Sequence, residues 1–353
     1  MNKLLFLQPA LPKYRIDFFD ELKKISKLNI FICHSDTDFL NVASVEYDSS
    51  IIVGKFYKIG PFYWQSKLGI PKLDKNDILV VSGNPRIINY MLLFFYYKFK
   101  GIKVIWWGQG WTAGKRGITS KIRRYIMSFS DGIAVYTEDE AQEINHNNII
   151  GLNNGLKITK FVPLEKKMDQ YEDIQLFFIG RLTNKSNLIV LLKALINVKR
   201  NYHLHIIGDG EIKDELMSFS CENKLNHNIT WYGKVYDDIQ IKKIADKCHL
   251  FIYPGSVGLS IIHAFSMGLP ALIHNEIKLH MPEIAAFKNG YNGIYFDYND
   301  INSLSAIIEK ISILDINNMS LNARKTVENS FNTKDMAKRF SVLIKVLNEK
   351  NIG

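Results

Sequence analysis

Short apolar runs rich in β-branched and aromatic residues alternate with helical patterns from one end of this chain to the other. That alternation constrains the fold more than any other feature. The spacing predicts strands at residues 3–7, 29–33, 51–54, 77–82, 103–107 and 132–136. Between them it predicts helices at 16–26, at 85–100 with Pro85 in the first turn, and at 118–129. A polar stretch at 153–171, carrying Lys166, Lys167 and Asp169, breaks the pattern and reads as a connection. The alternation then restarts, with strands at 175–179, 203–207, 229–232, 250–253 and 271–274 and helices at 187–199, 212–221, 239–247 and 259–267. Two amphipathic helices, 301–313 and 333–350, close the chain with no strand between them. Nearly all-apolar strands in such an order belong to parallel sheets covered on both faces. With 353 residues the chain is long enough for two such units. The expected fold is therefore α/β, two Rossmann-like doubly wound domains facing across a cleft. The boundaries expected are 1–165, 166–332 and a C-terminal helix, 333–353, that packs back toward the first domain.

Composition removes several classes. Mean hydropathy is -0.07, and the longest uncharged apolar run, 90–97, falls far short of the roughly 20 residues that span a bilayer. The apolar stretch at the start is too short for a secretion signal. The three cysteines (Cys33, Cys221 and Cys248) are far apart and form no CxxC, which points to a reducing, cytoplasmic setting and away from structural zinc. The formal charge of +10 is concentrated: residues 55–124 carry 14 Lys/Arg and two acids, Asp74 and Asp77, so the remainder is close to neutral. A solvated basic face explains this, and so does an anionic partner, either a phosphate-bearing ligand or an anionic membrane surface. No nucleic-acid reading module is recognisable.

Three features of the second half carry chemistry. Gly180-Arg181-Leu182 and Lys185 follow a strand, where the two cations together neutralise a diphosphate. Gly208-Asp209-Gly210 ends the next strand with glycines that permit close backbone approach. Tyr253-Pro254-Gly255-Ser256-Val257-Gly258-Leu259 joins a strand to a helix carrying His263, and a glycine loop at a helix N-terminus is a ready anion site. Taken singly, each is equally an ordinary turn, and His263 is equally a packed helix residue.

Their order and spacing resemble the retaining nucleotide-sugar glycosyltransferases of the GT-B fold, family 4 (the glycosyl transferases group 1). The family's GRL…K segment matches Gly180, Arg181, Leu182 and Lys185, with Ser186 where a glycine usually follows. Its G-[DE]-G turn matches Gly208-Asp209-Gly210. Its strand–helix junction matches at Gly258, Leu259, Ala264, Gly268 and Pro270. Its P-E-I element matches Pro282-Glu283-Ile284, and its N-G-V-D-x-x-x-F element is similar to Asn154, Gly155, Leu156 and Phe161. The two glutamates of the family's E-x7-E pattern fall on Gly255 and His263. Histidine can still hydrogen-bond a ribose hydroxyl, whereas Gly255 offers no side chain.

The resemblance implies transfer of a hexosyl group from a nucleotide diphosphate sugar, UDP-sugar favoured, with retained anomeric configuration and without a metal or cofactor. Arg181, Lys185 and the amides near Gly258 and Leu259 then stabilise the leaving diphosphate. Gly180, Gly208, Gly255, Ser256, Val257, His263 and Glu283 line the donor. In the first domain, Tyr14, Arg15 and Gln109 (in the loop Trp107-Gly108-Gln109-Gly110) are candidates for cleft or acceptor contact. Lys115, Arg116, Lys121, Arg123 and Arg124 surround a helix with Ile118, Ile122, Tyr125, Ile126 and Met127, which suits an anionic membrane, although that apolar face serves a domain core equally well. The acceptor expected is a saccharide or lipid-linked saccharide, in bacterial surface polysaccharide synthesis, with peripheral attachment at the inner face of the plasma membrane. Two alternatives stay open: a non-catalytic GT-B partner subunit and a nucleotide-sugar epimerase.

Overall fold

A computed structural model describes residues 2–40, 42–111, 117–158 and 173–349. The chain divides into two compact units, one made of residues 1–157 and 332–353, the other of 158–331.

The first unit contains β1 (Lys3–Leu7), α1 (Lys13–Ser26), β2 (Asn29–Ser35), β3 (Ser50–Val53), β4 (Phe56–Ile59) and β5 (Phe62–Gln65). It continues with β6 (Ile78–Ser82), α2 (Ile88–Phe99), β7 (Lys103–Trp107), α3 (Ile118–Met127), β8 (Gly132–Val135), α4 (Glu138–Glu143) and β9 (Ile149–Gly151). Seven of these strands form one sheet in the order β3-β2-β1-β6-β7-β8-β9, every neighbouring pair parallel. Its central strands are buried on both faces, which is why they read as unbroken apolar runs rather than alternating ones.

The second unit contains β10 (Ile174–Ile179), α5 (Leu188–Ile196), β11 (Tyr202–Ile207), α6 (Lys213–Glu222), β12 (Ile229–Gly233), α7 (Asp238–Ala245) and β13 (Leu250–Tyr253). After these come α8 (Leu259–Ser266), β14 (Ala271–His274), β15 (Gly293–Phe296), α9 (Ile301–Lys310) and α10 (Ile313–Asn329). Its sheet runs β12-β11-β10-β13-β14-β15, again all parallel. The strand order reverses direction between β10 and β13. In a doubly wound sheet, ligands bind outside the carboxyl ends of the strands at that point.

The last helix, α11 (Thr333–Glu349), belongs to the first unit and packs along α1. It buries Met336, Phe340, Leu343, Ile344 and Leu347 against β1, β8 and α1. The Phe340 ring sits 5.5 Å from Phe6, 5.9 Å from Phe18 and 5.8 Å from Trp107. The expected α/β class and the returning terminal helix are both present.

Several local expectations need correction. The first helix begins at Lys13, not residue 16, because the extended Pro12 precedes it. Pro85 lies ahead of α2, not in its first turn: Ile87 is held extended by a bridge to Tyr63, so the helix starts at Ile88. The β4–β5 hairpin escaped detection because its cross-strand pairs Tyr57–Trp64 and Ile59–Phe62 are apolar yet exposed while the polar Gln65 is buried, so burial in β5 alternates without a matching apolar/polar alternation to read. Also unforeseen were α4, β9, β15 and the Asn-rich α10, which packs on α8 through Ile316, Met319, Ala323 and Val327. Phe161, Lys166, Lys167, Asp169, Lys115 and Arg116 fall outside the described residues.

Candidate functional site

Three loops at the carboxyl end of the second sheet are closed onto one another by backbone contacts that only glycine permits. The Gly180 amide donates to the Ile207 carbonyl (3.0 Å). A Cβ on Gly208 would stand 2.0 Å from the Gly180 carbonyl oxygen, and one on Gly210 would stand 2.2 Å from that of Leu182. These are hard overlaps, so the β10 and β11 loops meet backbone to backbone. Gly255 is packed just as tightly. Its Cβ would lie 2.0 Å from the Lys185 carbonyl oxygen, and the neighbouring Ser256 amide donates to that same oxygen (3.0 Å). The loop after β13 is thus stitched to the loop after β10, across the point where the strand order reverses.

Side chains complete the arrangement. Arg181 and Lys185 are exposed on the β10 loop. Tyr253 stacks on Phe178 (5.0 Å, 17° between planes) with its ring edge against Gly180. Burial raises its phenol to about 12, partly offset by the nearby Arg181 guanidinium. Asp209 accepts the Gly210 amide, which holds its carboxyl below the ordinary value, and it pairs with Lys234 (3.6 Å) and Lys213 (3.9 Å).

Gly258 caps α8, and the first-turn amides of a helix are the groups that can receive an anion. Glu283, buried in the short 3₁₀ turn Pro282–Ala286, brings its Oε2 within 3.7 Å of where a Gly258 Cβ would be. Val257 is fully buried, and Ser256 and Leu259 are half-buried. His263, one turn into α8, is partly buried. Desolvation lowers its pKa against a weaker opposing pull from Asp238, so the ring is neutral near pH 7.

Two histidines absent from the sequence-based candidates fix this loop. The Val257 amide donates to His280 Nδ1 (3.1 Å), which leaves the ring proton on Nε2, donating to the His274 carbonyl (2.9 Å). The His274 and His280 rings stack at 3.9 Å. Burial, and then the neighbouring ring, push His274 down to about 4. His280 lies two residues before Pro282, and that proximity to a recognised motif is the one signal that could have found it.

In the first unit the candidates have different surroundings. The Arg15 guanidinium is committed to Asn154 Oδ1 (2.8 Å) and Met336 Sδ (3.4 Å) and lies over the Trp107 ring (5.2 Å). Tyr14 is exposed. Gln109 is half-buried after β7, and the next amide, Gly110, is held by the buried carboxylate of Glu140 (2.6 Å). The described residues include no group of three or more His, Cys, Asp or Glu placed to hold a metal ion.

Residues 138–328, more than half of the chain, match the family described as glycosyl transferases group 1. The chain belongs to that family. An uncharacterized glycosyltransferase of Methanocaldococcus jannaschii is 27% identical over 227 residues, 56% of this chain and 55% of that protein. The lipopolysaccharide 1,6-galactosyltransferase of Escherichia coli is 21% identical over 206 residues, 54% of each. The chain thus spans about half the length of the curated relatives it matches. Among solved structures, the lipopolysaccharide outer core galactosyltransferase WaaB superposes with a TM-score of 0.69 at 13% identity, covering 98% of this chain and 99% of that one. HepE of Anabaena, solved in complex with UDP, gives 0.70 at 13% identity over 98% and 100%. These likenesses establish the GT-B fold of this group 1 glycosyltransferase family member.

Proposed function

We propose that this group 1 family member transfers a sugar from a nucleotide diphosphate sugar, UDP-sugar favoured, to a saccharide or lipid-linked saccharide acceptor, with retention of configuration. The observation that carries the reading is the closure of three glycine loops at the switch point of the second sheet, beside Arg181, Lys185 and the α8 N-terminus. Backbone amides and two exposed cations are a donor set for diphosphate oxygens. Negative charge grows on the diphosphate as the glycosidic bond breaks, and these groups stabilise it in place without reorganising. The acceptor hydroxyl attacks from the face the leaving group departs, and its proton passes to the leaving phosphate oxygen. Glu283, beside Gly258, contacts the donor sugar, and the neutral His263 ring hydrogen-bonds the ribose. Tyr14 and Gln109 serve the acceptor, and Arg15, held on Asn154 and Met336, supports the loop beside them. HepE was solved with UDP and the E. coli relative is named for lipopolysaccharide galactosyl transfer, which supports a UDP-sugar and a place in bacterial surface polysaccharide synthesis. Peripheral attachment at the inner face of the plasma membrane completes the reading.

One observation favours a second reading. Gly255 stands where the family carries a glutamate and has no room for any side chain, as in a partner subunit that no longer turns over. Nucleotide diphosphate release from a panel of UDP-, GDP- and dTDP-sugars separates the two. The transferase releases nucleotide from one donor, and Arg181→Ala and Lys185→Ala each lower its affinity by about 10- to 100-fold, as for a charge-assisted hydrogen bond of 1.5–3 kcal/mol. No release and no nucleotide binding would overturn the reading.

A further inference from the structure

The most amphipathic-looking helix of the first unit is turned inside out. On α3 only Ser120 and Met127 are buried, whereas Ile118 is 75% exposed, Tyr125 is 68% exposed, and Ile122 is also exposed, as is Phe129 just past the helix end. These four fall on one stripe, opposite the buried pair. On α2 a second stripe, Leu92, Phe95, Tyr96 and Phe99, also faces outward, and Phe99 is 93% exposed. The two stripes join, because the Phe95 and Phe129 rings meet at 5.9 Å and Phe129 meets Tyr125 at 5.1 Å. Scattered exposed apolar side chains are ordinary, but a continuous aromatic band is not.

Charge identifies what the band faces. From Ile78 to Ser130 the chain carries nine Lys/Arg and no Asp or Glu. Lys121 flanks the α3 stripe, Arg124 lies beyond it, and Lys100 reaches over the Tyr96 ring (5.7 Å). Interfaces between proteins are depleted in lysine. Aromatic and aliphatic side chains bordered by long basic ones fit the boundary between acyl chains and anionic headgroups.

We propose that the outward faces of α2 and α3 form an interfacial anchor, with the aromatic band entering an anionic bilayer and Lys100, Lys121 and Arg124 on its headgroups. This deepens the peripheral-attachment reading above by naming the surface, and it rests on that reading but not on donor chemistry. Co-sedimentation of the full chain with phosphatidylglycerol-containing and pure phosphatidylcholine vesicles tests it, with nucleotide binding measured on the same samples. The expected result is at least tenfold stronger binding to the anionic vesicles, weakening as salt rises. Ile122→Asp with Tyr125→Asp, and separately Lys121→Glu with Arg124→Glu, should each lower it tenfold or more and leave nucleotide binding unchanged. Equal binding to both lipids, or variants that bind like the parent, would overturn the proposal. So would an absence of vesicle binding accompanied by self-association that Tyr125→Asp abolishes, which would make the band an interface between copies. Vesicle binding without nucleotide binding would sink the donor reading and leave the anchor standing.

Discussion

Gly255 offers the sharpest test of how the glycine loops of the second unit are built. Replacing it with alanine puts a methyl group 2.0 Å from the Lys185 carbonyl oxygen and 2.6 Å from the Ser186 carbonyl carbon. An unstrained contact needs about 3.5 Å, so the two loops must part by more than about 1 Å. Both obstacles are backbone, with no flexible side chain to swing aside. That parting stretches the Ser256–Lys185 hydrogen bond, now 3.0 Å, beyond useful length. Overpacking costs about 1–3 kcal/mol and the lost bond about 1 kcal/mol, together about 2–4 kcal/mol. For a unit of this size the melting temperature should fall by about 5–15 °C. Lys185 and the α8 N-terminus move apart, so nucleotide affinity should fall with it. Gly69→Ala is the control: nothing lies within 4 Å of its Cβ, and it should leave stability unchanged or raise it by about 0.4–1 kcal/mol. Gly255→Glu, which installs the family's residue, should be worse than alanine and should restore nothing. Thermal unfolding and nucleotide titration of the three variants decide it. A Gly255→Ala protein that melts with the parent and binds nucleotide equally would refute the argument.

Two further outcomes follow from packing and protonation. Phe340→Ala removes a ring lying among Phe6, Phe18 and Trp107 and should destabilise the first unit by about 3–5 kcal/mol, read by chemical denaturation, while nucleotide binding by the second unit persists. The second unit should lose stability in acid. His205, hydrogen-bonded to Tyr232 and Gln175, and His274, stacked on His280, are both buried, and burial lowers each to about 4. His203, once protonated, and Lys247 act in the same direction on His205. The unfolded chain binds protons at these sites near pH 6.5 and the folded chain does not, so the stability they contribute is complete above that pH. It disappears as the pH falls toward 4, by about 3 kcal/mol per histidine. Melting curves between pH 7.5 and 4.5 measure this, and a flat profile would contradict the assignment.

What the sequence revealed about the loops at the carboxyl end of the second sheet came from glycine. Where two backbones touch, as at Gly208 and Gly255, no other residue fits, so the structural requirement is written directly into the residue identity. The His280 contribution was hidden for the opposite reason. Its task is to accept one amide and donate to one carbonyl, and nothing in a lone histidine announces partners 23 and six residues away. Arg15 illustrates a third case. A basic residue near a loop reads as a ligand group, yet here its guanidinium ties α1 to Asn154 and to Met336 of the returning helix.

Periodicity located α3 but could not orient it. Ile118, Ile122 and Tyr125 form one apolar stripe and Met127 lies on the opposite side, and a pattern argument assumes that the larger apolar stripe faces inward. The charge distribution supplies the missing constraint. On the function proposed above, the second unit needs few cations for a diphosphate, because backbone amides and helix polarity share the task, and its residues 158–331 carry 19 Lys/Arg and 19 Asp/Glu, a net charge of zero. The surplus of 12 positive charges at 55–124 lies wholly in the first unit. A donor phosphate bound by the second unit therefore does not account for it. The same segment carries the outward aromatic band, and one partner that is both anionic and apolar explains the two together.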